Sequence, residues 1–144
     1  MNILTNNFFI KELSNIDNKK GNIIKIINKN DKNFDKFGEL YISEIYKNEI
    51  KAWKYHSRNN LNILVIQGKI KFVFALKEKQ KDCFKELIIH KKSNKLLTIP
   101  KKTWFGFMGI NKINKILSLS NSIFSENEIH RKKTNTFKYN WMKK

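Results

Sequence analysis

Hydrophobic residues alternate with polar ones through most of this chain. Between positions 40 and 119, short runs rich in Ile, Val, Phe, Tyr and Trp are separated by turn residues, which is the pattern of strands that bury one face. The predicted strands cover residues 23–27, 40–46, 50–56, 61–66, 69–76, 84–90, 96–99, 104–108 and 115–119. Many short strands of even spacing favour a sandwich or barrel over βαβ units, so we predict an all-β fold.

Turn residues and polar segments define the connections. Gln67-Gly68-Lys69 is predicted to form a tight hairpin because glycine tolerates a positive φ, and Pro100 is predicted to open a turn. We interpret residues 77–82 as a polar loop and residues 10–37 as an early strand followed by a mobile loop. One domain over residues 1–144 is expected, with a polar tail from about residue 121 and a short helix near 125–131.

The formal net charge of +18 raises the question of an anionic partner. Of the 30 basic residues, two are arginines, Arg58 and Arg131, so 28 are lysines. The lysines are spread along the whole chain, and no zinc-knuckle, helix-turn-helix or RNA-recognition motif accompanies them. We therefore favour a solvated basic surface, and keep nucleic-acid binding as the less favoured alternative.

Cysteine content and the first residues bear on the compartment. Cys83 is the single cysteine, so neither a disulfide framework nor a thiolate metal cluster is expected. Residues 1–13 lack a basic start, a long apolar stretch and a cleavage site, and no apolar run is long enough to span a bilayer. We expect a cytoplasmic protein without a membrane partner.

Two segments carry a family resemblance. Residues 49–56 read Glu-Ile-Lys-Ala-Trp-Lys-Tyr-His, and residues 98–107 read Thr-Ile-Pro-Lys-Lys-Thr-Trp-Phe-Gly-Phe. They resemble the signature strands of the sugar-nucleotide epimerase branch of the cupins, typified by dTDP-4-dehydrorhamnose 3,5-epimerase. The resemblance implies a small jelly-roll barrel. It also implies metal-free acid–base isomerisation or epimerisation of a nucleotide-linked 4-keto-6-deoxy sugar, for surface polysaccharide biosynthesis.

The residues at the family's catalytic positions are changed here. The resemblance places the family's histidine base at Lys54 and its tyrosine at Ser118. A catalytically silent sugar-nucleotide-binding or assembly protein is therefore the main alternative to an enzyme. Tyr41, Tyr46 and Tyr55 are the other candidate proton donors.

Lys54 and His56 remain the candidate acid–base pair. They are two residues apart on a strand and share one face, with Trp53 and Tyr55 on the other. Burial beside a charged histidine would lower the pKa of the lysine toward neutrality. The competing structural interpretation is an ion pair between Lys54 and Glu44.

The metal-ligand set of other cupins does not survive in this chain. Relative to that set, His56 remains, whereas its other positions hold Lys54, Leu61 and Phe105. An ammonium cannot ligate a metal and one imidazole does not hold one. We expect neither a metal nor another cofactor.

Substrate contacts are predicted from charge, shape and hydrogen-bonding capacity. Lys51, Arg58 and Lys71 are candidates for the diphosphate, although Lys51 reaches the face of Lys54 only if a bulge intervenes. Trp104 is a candidate for stacking and Asn62 for a sugar hydroxyl, while Phe107 is expected in the core and Ser120 beside Ser118. The edges offered by residues 40–46 and the N-terminal strand predict a homodimer.

Overall fold

The computed structural model describes residues 8–78 and 81–143, with the side chains of Lys77 and Glu78 left out. In chain order the elements are β1 (Phe9–Glu12), β2 (Asn15–Ile16), β3 (Ile23–Ile24), β4 (Glu39–Tyr46), β5 (Ile50–His56), β6 (Leu61–Gln67), β7 (Lys69–Glu78), β8 (Lys81–His90), a 3₁₀ helix (Lys91–Ser93), β9 (Lys95–Ile99), β10 (Trp104–Gly109), β11 (Ile113–Ser120) and β12 (Ile129–Arg131). The described ranges contain no helix long and apolar enough to cross a membrane.

Two five-stranded antiparallel sheets face each other. Sheet I has the strand order β1-β9-β6-β11-β4, and sheet II has the order β12-β5-β10-β7-β8. Successive strands β6 and β7, and likewise β9 and β10, lie in different sheets, so the chain repeatedly crosses between the two layers. This is a jelly-roll barrel, and it confirms the predicted all-β fold class.

Strand alternation builds the core between the sheets. Phe72 and Phe74 of β7 point toward Ile63 of β6 and Leu97 of β9, and all four side chains are buried. Eight of the nine predicted runs form strands of the two sheets, because residues of one face bury their apolar side chains against the opposite sheet. The run at 23–27 is strand only at Ile23–Ile24, and both residues are exposed.

Three local predictions need correction. The turn at Gly68 has the expected positive φ of 79°, but it joins β6 of sheet I to β7 of sheet II and is not a hairpin. The predicted loop at 77–82 is largely strand, since β7 and β8 pair as far as Glu78 and Lys81, and residues 79 and 80 of that loop lie outside the described residues. The predicted helix near 125–131 is instead a turn followed by β12.

The last residues cover the outer face of sheet II. We call residues 132–143 the C-terminal strap. Its backbone at Lys132 exchanges hydrogen bonds of 3.0 and 3.1 Å with the backbone of Trp53, and the Trp53 indole donates to the Thr134 carbonyl. Trp141 is buried at 5% exposure against Trp53. The segment that was predicted to be a polar tail therefore packs its aromatic side chains on sheet II, and together they form a second apolar cluster.

The early segment is only partly regular. β1 pairs with β9, and Lys11 on β1 forms an ion pair of 2.8 Å with Asp31. The small hairpin of β2 and β3 is exposed. Residues 1–7 lie outside the described residues. They are part of the segment 1–13 in which no leader sequence was predicted.

Candidate active site

An open cavity of about 300 Å³ lies between the two sheets of the barrel. Part of its lining is apolar and continuous with the core; these residues include Leu61, Ile63, Phe105, Phe107 and Ile116. The rest is polar, and these residues are Glu39, Tyr41, Ser43, Lys54, His56, Asn59, Ser118, Ser120, Ser122 and Arg131. A concave site with an apolar part and a few convergent polar groups is typical of small-molecule binding.

Strand β5 brings Lys54 and His56 to this cavity on one face. Trp53 lies on the opposite face in the outer cluster, and Tyr55 packs on Trp104 outside the cavity. Lys54 and His56 therefore share one face of β5, as the alternation of side chains along a strand predicts.

A bulge in β5 adds Lys51 to the inward face. Phe105 pairs with Lys54 whereas Phe107 pairs with Lys51, so two steps along β10 match three along β5. The Lys51 Nζ donates to the Ser43 Oγ at 2.9 Å and to the Glu44 carbonyl at 2.7 Å. The bulge that Lys51 would need to reach the face of Lys54 is therefore present, and Lys51 lies beside the cavity wall.

His56 is held by a carboxylate from the far end of the chain. Its Nδ1 lies 2.9 Å from the Glu128 Oε2, and both residues are buried. The Glu128 Oε1 also accepts hydrogen bonds from the backbone N–H groups of Arg58 and Asn59, at 3.1 and 2.9 Å. Burial raises the pKa of Glu128, but the hydrogen bonds from His56 and the two amides outweigh burial and hold the pKa below its usual value.

The ionised Glu128 determines which nitrogen of His56 carries the proton. A carboxylate only accepts hydrogen bonds, so the Nδ1 must donate. The Nε2 then has its lone pair available when the ring is neutral, and it makes no hydrogen bond with the described residues. This is the arrangement of a general base oriented by a third group.

Lys54 is half-buried and surrounded by positive charge. Burial lowers the pKa of Lys54, and the charges of Arg131 and Lys51 lower it further. Within the described residues, its Nζ makes no hydrogen bond or ion pair. The alternative pairing with Glu44 is not formed, because Glu44 lies 3.7 Å from Lys115 instead.

Ser118 and Tyr41 form part of the opposite wall. They are cross-strand neighbours on β11 and β4, and both line the cavity. The Ser118 Oγ is buried beside the Tyr41 phenol, and its interaction with the phenol lowers the pKa of Tyr41 less than burial raises it. Burial raises the pKa of the Tyr41 phenol, so it stays protonated. Ser120 also lines the cavity, as its alternation with Ser118 predicts.

Several predicted contacts lie away from the cavity because they occupy outward positions on their strands. Asn62 accepts from Thr98 at 2.6 Å and from Asn33 at 3.1 Å on the outer face of sheet I. Lys71 donates to the Trp141 carbonyl at 2.7 Å beneath the C-terminal strap. Trp104 packs against the strap residue Phe137.

The remaining predicted residues differ in position. The Arg58 side chain is exposed and only its backbone N–H contacts Glu128. Of the tyrosines, Tyr46 is 58% exposed and does not line the cavity, unlike Tyr41. Phe107 is in the core as expected.

The residues that the sequence analysis missed include Glu128, which holds His56, and Arg131, which lines the cavity. Glu128 and Arg131 both come from the segment at β12, which pairs with β5 so that Arg131 stands opposite Lys54. Arg131 also lies 3.2 Å from Glu126. The one available signal was that Arg131 is a rare arginine in a lysine-rich chain.

The donor groups do not form a metal site in the part of the chain that the structure describes. No group of three or more His, Cys, Asp or Glu side chains is close enough there to hold an ion. The metal-free site stays a prediction based on the donor set.

Comparisons with known proteins give a family and a fold. The family model described as FdtA, WxcM-like, C-terminal matches residues 6–141. No curated protein matches the chain.

Solved structures are similar over nearly the whole chain. A dTDP sugar isomerase from Desulfovibrio desulfuricans G20 is 23% identical, with 94% of this chain and 90% of that chain covered and a TM-score of 0.80. A dTDP-4-dehydrorhamnose 3,5-epimerase from Elizabethkingia anophelis NUHP1 is 11% identical, with 94% and 80% covered and a TM-score of 0.79.

A third similar structure is a histidine-to-asparagine mutant of the 3,4-ketoisomerase QdtA from Thermoanaerobacterium thermosaccharolyticum, in complex with TDP-4-keto-6-deoxyglucose. It is 18% identical, with 90% of each chain covered and a TM-score of 0.72. At these identities the likeness establishes a shared fold.

Proposed function

Because the chain belongs to the FdtA, WxcM-like, C-terminal family, we propose that it binds a nucleotide-linked 4-keto-6-deoxy sugar and isomerises or epimerises it. The names of similar structures support this substrate class, since they include a dTDP sugar isomerase, a 3,5-epimerase and a 3,4-ketoisomerase. The reaction types share one chemical requirement, which is removal and return of a proton next to a ketone.

The size of the cavity supports entry of the sugar alone. About 300 Å³ is at the small end for ligand pockets, so the nucleotide would lie across the opening. We propose that Arg131, whose side chain is 48% exposed, and Lys51 would hold the diphosphate. Arg58 remains a further candidate for this contact, whereas the buried Lys71 would need the C-terminal strap to open.

His56 is the proposed general base. The observation that carries the proposal is its buried hydrogen bond to Glu128, which leaves the Nε2 free in the cavity. Lys54 would stabilise the negative charge that develops on the ketone oxygen. Ser118 or Tyr41 on the opposite wall would supply a proton to the other face of the sugar.

A silent binding protein is the second candidate. It is favoured by Lys54 and Ser118, which stand where the resembled epimerases have their catalytic histidine and tyrosine. Such a protein would bind the nucleotide sugar without proton transfer. In either case we propose a metal-free cytoplasmic protein that serves surface polysaccharide biosynthesis.

Deuterium exchange separates the two candidates. The protein is mixed with TDP-4-keto-6-deoxyglucose in deuterated water, and the C3 and C5 protons are followed by NMR. An enzyme exchanges at least one of them, and His56→Asn abolishes the exchange while TDP binding persists. Binding without exchange selects the silent protein. Absence of binding contradicts the proposed function.

A further inference from the structure

Among the residues that the structure describes, Lys54 differs from an ordinary site lysine because it has no anionic partner. No carboxylate among the described residues pairs with its Nζ, and Glu44 is engaged by Lys115. Its cross-strand neighbour is a second cation, Arg131, and the bulge brings Lys51 to the same face. Burial in a partly apolar cavity lowers the pKa of Lys54, the cations Arg131 and Lys51 lower it further, and a lower pKa increases the fraction of the amine that is neutral and nucleophilic.

A neutral amine beside a bound ketone can do more than stabilise charge. We propose that the Lys54 amine adds to the ketone of the bound sugar and carries it as an imine during proton transfer. This rests on the proposed function, because the ketone is that of the nucleotide sugar. Lys54 is then a catalytic residue that forms a covalent bond.

The step balances without an added reagent. The Nζ lone pair attacks the carbonyl carbon. The carbonyl oxygen takes one proton from the attacking nitrogen and one from solvent and leaves as water, so that a C=N⁺ bond remains; hydrolysis of this bond later returns the proton to solvent. This iminium accepts the electron pair of the neighbouring C–H bond, whose proton passes to the His56 Nε2. Return of a proton to that carbon, followed by addition of water to the C=N⁺ bond, releases the ketone and the free amine.

The imine also determines which reaction can be completed. If the proton returns to the carbon that lost it, from the side of Ser118 or Tyr41, the product is an epimer and water can release it. If the proton instead reaches the imine carbon, the ketone moves to the neighbouring carbon and the sugar stays bonded to Lys54 as a secondary amine. A lysine imine therefore favours epimerisation over movement of the ketone.

Reductive trapping tests the inference. The wild-type protein is incubated with TDP-4-keto-6-deoxyglucose and sodium cyanoborohydride, which reduces iminium ions, and digested for mass spectrometry. We expect the reduced nucleotide sugar on the Lys54 peptide, with at least a tenfold loss of labelling when excess TDP is present. Lys54→Arg keeps the charge but cannot form an imine, so it should lose the label and the proton exchange while binding TDP within about threefold of wild type.

Surface lysines require a matched control. Lys115→Arg removes a partly exposed lysine that is paired with Glu44, and it should leave labelling at Lys54 unchanged. Proton exchange in the wild type without a Lys54 adduct overturns the imine and leaves the proposed function standing. Proton exchange that persists in Lys54→Arg also overturns the imine and leaves the proposed function standing. A wild type that neither binds TDP nor exchanges protons overturns both.

Discussion

The Glu128 carboxylate is the residue on which the proposed base depends. It accepts hydrogen bonds from one imidazole and two backbone amides, and its side chain is 1% exposed. A buried carboxylate is stable only when it is bonded in this way. The two amides hold the carboxylate in place, and its bond with the Nδ1 fixes the orientation of the His56 ring.

Replacement of Glu128 by glutamine tests this role. An amide can present its N–H group to the His56 Nδ1, and then the proton moves to the Nε2 and the base is lost. Proton exchange in Glu128→Gln should fall by about 10²–10⁴-fold, with TDP binding kept. The matched control is Glu12→Gln, which removes an acid that is 74% exposed and 3.6 Å from Lys95. Unchanged exchange in Glu128→Gln would show that His56 acts without this partner.

The free energy of unfolding should depend on pH through the charge of the Glu128 carboxylate. Because the pKa of folded Glu128 lies below its usual value of 4.5, its stabilising contribution is complete above that pH. The contribution is lost as the pH falls through the folded pKa. The stability difference between wild type and Glu128→Gln in urea should therefore shrink in acid. A difference that stays constant would place the charge effect elsewhere.

Sequence reasoning predicted part of the lining of the candidate cavity. Lys54 and His56 follow from strand alternation, and Ser118 lines the cavity at the position that the resemblance implied. Glu128 was missed because a lone glutamate in a polar segment has no local signal of burial, and its partner is 72 positions away. Trp104 and Lys71 were misplaced because an aromatic or a lysine beside a motif can face either side of its strand.

At the scale of elements, the strands that the sequence predicts well are those with two buried faces or one clear apolar face. β6, β7 and β10 were found because their inward side chains are large and apolar. β12 was missed because His130 and Arg131 are exposed and its three residues are held by pairing with β5. Short edge strands depend on a partner that a local pattern does not contain.

The C-terminal strap should stabilise the molecule chiefly through Trp141. Its indole packs on Trp53 at 5.2 Å and on Tyr139 at 5.0 Å between ring centroids. Trp141→Ala should cost about 3–5 kcal/mol of unfolding free energy because it opens a cavity over sheet II. Denaturant unfolding measures this cost. The matched control is Met142→Ala, where 56% exposure predicts little change; equal effects of the two would contradict a packed strap.

At the scale of the whole molecule, the outer face of β4 is an exposed apolar surface. β4 is an edge of sheet I, as β1 is the other, and Leu40 and Ile42 on its outer side are 53% and 61% exposed. Their cross-strand partners Leu119 and Leu117 extend this apolar face. Contiguous exposed apolar surface of this kind is typical of an interface between protein chains.

We expect a homodimer that buries this face. Ile42→Lys should convert the dimer into a monomer in light scattering coupled to gel filtration, because it places a charge in an apolar interface. Ile23→Lys is the control, since Ile23 is 54% exposed on the separate β3 hairpin. A monomeric wild type, or a dimer that survives Ile42→Lys, would contradict this interface.

The separation of His56 and Glu128 by 72 positions in the sequence has a consequence during synthesis. The ribosome adds the base 72 residues before the acid that orients it, an interval of about 4–14 s at about 5–20 residues per second. Through that time β5 has no β12 beside it, and the imidazole has no carboxylate. A nascent chain that extends only to the end of β11 can therefore pair most strands of the two sheets while the proposed base still lacks its orienting carboxylate.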